Sequence, residues 1–295
     1  MDVLQPRDLN EALAMKAEHP DAVPLAGGTD LMVELNFDMR RPEVIMDLTR
    51  VPELVEHSRD DGLLRVGAGV TYTDLIGDLA IELPGLAIAS RTIGSPQIRN
   101  RGTIGGNLGT ASPAGDTLPV LLAANAQVEI ASARSARRLA LDEFITGPKK
   151  NALAPDEIIT ATLVPAATGP QQFSKIGTRN AMVIAVASFA IVLDPTAGRV
   201  GTGIGSAGPT PLRAGEAERF VSEYLAERNL WEKRGPIEEH AAARFGELAG
   251  GAARPIDDVR GSARYRHHSV AVMARRTLTW AWNEFRKEGV RGHEA

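Results

Sequence analysis

Leu25-Ala26-Gly27-Gly28-Thr29-Asp30 and Thr103-Ile104-Gly105-Gly106-Asn107 each set a glycine pair beside a threonine, and the reading of these two runs decides the fold. Each follows an apolar element, so each glycine pair is expected at a turn. Glycine reaches positive φ at little cost and carries no Cβ to hold a ligand off the backbone. Successive main-chain N–H groups in such a turn make a concave donor set that suits phosphate oxygens. Neither loop contains Lys or Arg, so the donors would be backbone groups with the Thr29, Thr103 and Asn107 side chains. One glycine pair alone most often marks a turn and nothing more. Two such loops, both carrying threonine, point to a pyrophosphate site.

Working outward, Ala22 to Leu25 reads as a buried strand stopping at the first glycine pair. Before it, Asp8 and Glu11 form a capping-box pattern ahead of Leu9, Ala12, Leu13 and Ala17 at helical spacing. Val44 to Leu48 and Leu63 to Val66 read as strands. Thr71 with Asp74 gives a second capping box, with Leu75, Ile76, Leu79 and Leu83 on one helical face that Pro84-Gly85 would end. Leu86 to Thr92 reads as a short helix running into the glycine-rich segment Gly94 to Gly115. Leu118 to Ala124 is expected helical, and Gln127 to Ala131 and Glu157 to Val164 as strands, the latter closed by Pro165.

The small-residue linker Ala166 to Pro170 then marks a change of texture. Phe173 to Thr178, Val183 to Leu193 and Arg199 to Ile204 read as a strand meander with a turn at Asp194-Pro195. From Arg213, apolar residues recur at helical spacing in three segments ending near Phe285. Two domains are expected, residues 1–170 and 171–295.

Several function classes fall away. With 295 residues, 43% of them hydrophobic, and a formal net charge of −4, the chain reads as soluble and globular, without a basic face for nucleic acid. The densest cationic pieces, Arg134 to Arg138 and Arg264 to Arg276, are broken by apolar residues and read as solvated helix or loop faces. There is no cysteine, hence no disulfide, no thiolate-held zinc and no iron–sulfur cluster carried by this sequence. The N-terminus lacks a secretory pattern, and the apolar run Ala181 to Leu193 is too short to span a bilayer, so a cytoplasmic protein with no integral membrane segment is expected. Gly203-Ile204-Gly205-Ser206-Ala207-Gly208 matches the dinucleotide fingerprint, but Pro209 and Pro211 deny it the helix that fingerprint must open, so it reads as a turn after a strand. His267 and His268, adjacent on a helix, diverge and cannot share a metal. Asp156-Glu157 and Asp257-Asp258 read as caps at element starts. No catalytic residue and no metal site suggests itself.

The run Ser95 to Asn107, continuing through Ala111 to Asp116, resembles the FAD domain of xanthine dehydrogenases, as does Ala26 to Asp30. A third block, Phe173 to Met182, resembles the start of that family's C-terminal flavoprotein domain, and the resemblance extends to about residue 285. It implies an α+β fold: a two-lobed FAD-binding domain of the vanillyl-alcohol-oxidase type, then a smaller domain of antiparallel sheet plus helices. It implies that Leu25, Ala26, Gly27, Gly28, Thr29, Asp30 and Leu31 wrap the pyrophosphate from one side. Thr103, Ile104, Gly105, Gly106 and Asn107 would hold it from the other. Asp116 would bind toward the ribityl or adenosine part, and Ile93 would pack near the flavin where animal xanthine enzymes carry an aromatic residue. Ile159 and Lys175 would approach the isoalloxazine, Lys175 adding positive charge near the reduced flavin; without the resemblance Lys175 reads as a surface lysine on a strand edge.

In that family a molybdopterin centre on a large subunit hydroxylates the substrate, and electrons pass through two 2Fe-2S clusters on a small subunit to FAD. The resemblance therefore implies an FAD-carrying electron-transfer subunit of a xanthine dehydrogenase, with non-covalent FAD and NAD as acceptor. It implies those two partner subunits, assembled as a dimer of heterotrimers. The alternatives are a sister hydroxylase acting on carbon monoxide, nicotine, caffeine or an aldehyde, a self-contained flavin oxidoreductase of the same fold, or a scaffold that keeps the fold with an empty site.

Overall fold

In the computed structural model, which describes residues 1–60 and 62–291, packing divides the chain into two units. Unit 1 comprises Met1–Gly77, Gly94–Ser112 and Asn125–Pro165; unit 2 comprises Asp78–Ile93, Pro113–Ala124 and the chain from Ala166 onward.

Among the described residues unit 1 holds two larger sheets, one to each lobe, and the small two-stranded pair Ile145–Gly147 with Lys150–Asn151. The first is parallel, with Val44–Asp47 between Asp2–Leu4 and Val23–Leu25. The helix Leu9–Glu18 joins its outer strands, and Asp8 Oδ1 caps it by accepting from Glu11 N at 2.8 Å. The reciprocal half of the capping box reaches one residue further back, Arg7 N donating to Glu11 Oε2 at 2.7 Å. The second sheet is antiparallel, in the order His57–Asp60, Leu63–Gly67, Ile158–Pro165, Gln127–Ala131, Ala136–Ala140. Its central strand is buried on both faces and rich in β-branched residues, as a strand covered on both sides must be. Pro165 is that strand's last residue rather than the stop beyond it.

Two expectations fail in unit 1. The arginine-rich run Arg134 to Arg138 is a loop face only at its start, because Ala136–Ala140 is the sheet's edge strand. Arg137 and Arg138 stand exposed on it, where charge keeps a free edge from pairing with another chain. The glycine-rich segment is likewise more regular than expected, for it contains the short helices Pro96–Arg99 and Ile104–Thr110.

The Thr71–Asp74 capping box forms, with Thr71 N donating to Asp74 Oδ2 at 3.0 Å and Asp74 N to Thr71 Oγ1 at 3.2 Å. Its helix, Tyr72–Gly77, is shorter than expected. Leu79 and Leu83 are fully buried but lie beyond its end, Leu83 as the N-cap of the next helix, Pro84–Arg91, which Pro84 opens instead of closing this one. A proline in the first helical turn loses no hydrogen bond, since its missing N–H would have had no partner there.

Unit 2 carries the antiparallel meander Gln171–Ile176, Ala187–Asp194, Arg199–Gly205. The middle strand starts four residues later than expected, at Ala187. Among the described residues four helices follow, not three: Gly215–Glu227, Leu230–Lys233, Glu239–Ala252 and Ala263–Arg291. The additional turn is set off by Asn229 and Arg234, both left-handed at φ 51° and 52°. The core gathers Phe189, Phe245, Leu278 and Trp282, with the Phe189 and Phe245 rings edge-on at 6.2 Å.

Arg266, expected on a solvated face, is buried and pairs with Asp258 at 2.5 Å. The glycines of the false fingerprint have a packing explanation. Gly203 and Gly205 lie inside a strand, and a Cβ on Gly203 would sit 1.9 Å from Pro119 O. Gly201 would meet Ala123 O at 2.1 Å, so the helix Thr117–Ala123 rests directly on that strand's backbone. Among the described residues, no helix is long and apolar enough to cross a membrane.

Candidate functional site

The first glycine loop leaves the strand Val23–Leu25 and turns at Gly28, whose φ of +73° only glycine adopts without strain. Its carbonyls start the next helix, Leu31–Asn36: Gly28 O accepts from Met32 N, and Asp30 O from Val33 N and Glu34 N. Among the described residues, nothing accepts a hydrogen bond from the N–H groups of Gly27, Gly28, Thr29, Asp30 and Leu31. These residues line a cavity of about 540 Å³ between the two lobes of unit 1. Gly27 is obligatory for another reason, since its Cβ would lie 1.8 Å from Arg101 O. The first loop thus lies against the chain that leads into the second.

The second glycine pair sits in the first turn of the helix Ile104–Thr110, and its main-chain donors are already used. Ile104 N donates to Val70 O at 3.1 Å, Gly105 N to Ala68 O at 2.9 Å, Gly106 N to Thr103 Oγ1 at 2.9 Å and Asn107 N to Thr103 O at 3.1 Å. The expectation of a second set of free donors is therefore not met. What this loop offers instead is close approach. A Cβ on Gly106 would meet only Thr103 Oγ1 within 4 Å, at 3.0 Å, and Gly106 lines the cavity. Gly105 serves packing, because its Cβ would strike Ala68 Cβ at 2.5 Å.

Leu25 to Leu31, Thr103, Gly105, Gly106, Asn107 and Ile159 all line this one cavity. Ile104 does not: its side chain is fully buried in the core, for the side chain of the first helical residue points inward here. Leu48, Leu54, Leu153, Ile158 and Ile159 supply an apolar wall. Sequence reading missed Glu34, Arg40, Arg101 and Lys149, which give the cavity rim its charge. No spacing connects them; Lys149 arrives because the turn after Gly147 docks on the end of the helix Ile104–Thr110. There Lys149 N donates to Ala111 O and Asn151 Nδ2 to Gly109 O, each at 2.9 Å.

Ile93, Asp116 and Lys175 belong to unit 2. Lys175 Nζ lies 2.6 Å from Asp116 Oδ2, with both side chains more than nine-tenths buried. The ammonium also donates to Thr92 O at 2.9 Å and Val183 O at 3.2 Å, which satisfies its three protons. So Lys175 is no surface lysine. Asp116 Oδ1 is buried with no partner among the described residues. Burial pushes the Asp116 carboxyl up to about 6, against the opposing pull of Lys175 and Thr92. Ile93 is half-buried just past the helix Pro84–Arg91.

Over residues 1–167 the chain matches the family described as FAD binding domain in molybdopterin dehydrogenase, and over 172–281 the CO dehydrogenase flavoprotein C-terminal domain. It is 31% identical to the nicotine 6-hydroxylase medium subunit of Paenarthrobacter nicotinovorans, over 94% of this chain and 95% of that protein. It is 30% identical to the xanthine dehydrogenase FAD-binding subunit of Escherichia coli O157:H7, over 92% and 93%. Among solved structures it is similar to a chain of a copper- and molybdenum-containing carbon monoxide dehydrogenase in its cyanide-inactivated form. That match has a TM-score of 0.85 at 29% identity, covering 96% of this chain and 98% of the other.

Proposed function

This chain belongs to the family of FAD-binding medium subunits of molybdenum hydroxylases, and from that premise we propose that it passes electrons from the iron–sulfur clusters of a partner subunit, through FAD, to an external acceptor. One observation carries the proposed cofactor site: the unpartnered N–H groups from Gly27 to Leu31 along the cavity. Five adjacent donors around a positive-φ glycine suit an anion, and a pyrophosphate presents acceptors in that form. The residues fit the group. The Gly28 turn aims donors, Gly106 leaves room for close approach, and Ile158 and Ile159 keep water from one wall. When bound, FAD supplies a centre that trades electrons singly or in pairs, and the chain's part is to hold and tune it.

In unit 2 the resemblance assigns Ile93, Asp116 and Lys175 to the flavin. The unpartnered Asp116 Oδ1 supports this, as a buried acceptor ready for a hydroxyl or N–H donor. Lys175, satisfied by three oxygens, holds the carboxylate and sets the local charge.

For the whole enzyme we favour a xanthine dehydrogenase that uses NAD⁺. The support is the likeness of Ser95 to Asp116 and of Ala26 to Asp30 to that group. A second reading stands beside it, a sister hydroxylase. Identities of 31% to a nicotine hydroxylase subunit and 29% to a carbon monoxide dehydrogenase chain match the 30% to a xanthine dehydrogenase subunit. The match over residues 172–281 favours a subunit of such a complex over a self-contained flavin oxidoreductase.

The test is isolation of the complex through a tag on this chain. Partner chains bearing molybdopterin and 2Fe-2S clusters should co-purify. Acid precipitation should leave all yellow colour in the supernatant, since the sequence has no cysteine and, among the described residues, no histidine lines the cavity. A colourless chain, or flavin fixed to the pellet, would overturn the reading.

A further inference from the structure

The charged rim of the cavity contains an internal ion cluster that the glycine loops do not explain. Glu34, on the helix that the first loop opens, holds two cations brought in from elsewhere. Arg40 Nη1 lies 3.8 Å from Glu34 Oε2, and Lys149 Nζ lies 3.4 Å from Glu34 Oε1. All three line the cavity, and the cations stay half-exposed or more while Glu34 is half-buried. The Lys149 contact is a long hydrogen bond and the Arg40 contact an ion pair beyond hydrogen-bond distance, so either cation can leave at small cost.

Lys149 is the informative member. Its φ of +55° is a conformation in which glycine is at ease and a long side chain costs energy. The backbone bond from Lys149 N to Ala111 O holds it there, and the result is a cation at the cavity rim. The first loop meanwhile offers neutral N–H donors, and its own acidic side chain is occupied: Asp30 Oδ2 accepts from Thr110 Oγ1 at 2.9 Å. Nothing in either glycine loop neutralises the charge that each phosphate of a dinucleotide carries.

We propose that Glu34 is an exchangeable counter-ion for Arg40 and Lys149, which transfer to the cofactor's pyrophosphate when it enters. The inference rests on the reading that FAD occupies this cavity. It makes Arg40 and Lys149 cofactor-binding residues and Glu34 a positioning residue that keeps them extended along the rim and competes with the ligand. Removing the competitor should therefore tighten binding, the reverse of what loss of a structural ion pair does.

The experiment is titration of the flavin-depleted full chain with FAD at low and high salt, for the wild type and for Glu34→Gln, Arg40→Gln and Lys149→Gln. Each lost cation should raise Kd about three- to tenfold, as expected for a charge-assisted contact, and make binding less sensitive to salt. Glu34→Gln should lower Kd by about two- to fivefold, within the range of an exposed ion pair. Weaker binding by Glu34→Gln, or cation variants with wild-type Kd and salt dependence, would overturn the proposal. Gly28→Val and Gly106→Val separate this from the underlying reading. If both fold and keep FAD, the cavity assignment fails; if either loses FAD while the charge variants bind as wild type, only the counter-ion proposal fails.

Discussion

Thr110 Oγ1 donates to Asp30 Oδ2 at 2.9 Å and so clasps the first glycine loop to the last turn of the helix that carries the second. The two loops are far apart in the chain and meet through this side-chain bond and the seat of Gly27 on Arg101. The Asp30 side chain then works at the site through Thr110, holding its own loop in place. Asp30→Ala should raise the Kd for FAD roughly fivefold, the equivalent of about 1 kcal/mol for one hydrogen bond. Asp30→Asn should recover most of the loss, because an amide oxygen still accepts from Thr110. Fluorescence titration of the flavin-depleted chain reads this, and an Asp30→Ala chain with wild-type affinity would refute the clasp.

Gly27 and Gly106 should part company when each is replaced by valine. A side chain at Gly27 runs into the Arg101 carbonyl, so that variant should lose several degrees of Tm and its flavin together. A side chain at Gly106 meets only the Thr103 hydroxyl, and φ is not positive there, so the chain should fold at near wild-type Tm yet lose FAD. Thermal unfolding of the flavin-depleted proteins, set beside flavin content after purification, distinguishes the two. Wild-type flavin occupancy in Gly106→Val would mean that this pair only packs.

Asp116 predicts a pH signature. Its folded value is raised, from 3.8 to about 6, so the folded chain keeps this proton in a window where the unfolded chain has lost it. Its contribution to stability is greatest at the acid end and falls as pH rises through that window, by on the order of 3 kcal/mol in all. Glu129, Glu157 and Asp258, held below their ordinary values by neighbouring arginines and backbone N–H groups, act in the opposite sense at lower pH. The comparison is therefore wild type against Asp116→Asn. The stability difference between them should decline from about pH 4 to about pH 6 and level off above. Parallel stability curves from denaturant titration across that range would exclude a raised Asp116.

What could be read in the sequence was local chemistry. The capping boxes at Asp8 and Thr71 need only residues a turn apart, and both form. The strands around Val44, Leu63, Gln127 and Arg199 follow from short apolar runs between turns. What could not be read was tertiary. Leu79 and Leu83 keep helical spacing because they are buried, although no helix holds them. Arg266 looks like part of a solvated run until Asp258 is brought to it. Pro209 denies the fingerprint its helix, but the reason for Gly203 and Gly205, the close approach of Pro119, lies on another element. Arg40 and Lys149 reach the cavity with no motif to announce them. The linker at Ala166 to Pro170 divides the chain once, whereas packing sends Asp78–Ile93 and Pro113–Ala124 with the later part.

With no cysteine, this sequence has no ligands for an iron–sulfur cluster, and no group of three metal-binding side chains gathers among the described residues. The purified chain should therefore turn over no purine, while its flavin still passes electrons slowly from NADH to a dye. The reconstituted complex, on the xanthine dehydrogenase reading, should oxidise hypoxanthine with NAD⁺ as acceptor. Hydride exchange with a nicotinamide needs an open flavin face and close approach, and the loop Gly177 to Asn180, exposed at Thr178, Arg179 and Asn180, is the unit 2 segment to vary. Arg179, which donates to Met182 O, is a candidate for a nucleotide phosphate, so Arg179→Ala should raise KM for NAD⁺ about three- to tenfold and leave dye reduction unchanged. Steady-state rates with hypoxanthine, nicotine and carbon monoxide, each against NAD⁺, oxygen and a dye, separate the readings. Purine turnover by the chain alone would end the subunit assignment. Turnover with dyes but not with NAD⁺ would remove the nicotinamide acceptor, and activity confined to a non-purine would move the protein to a sister hydroxylase.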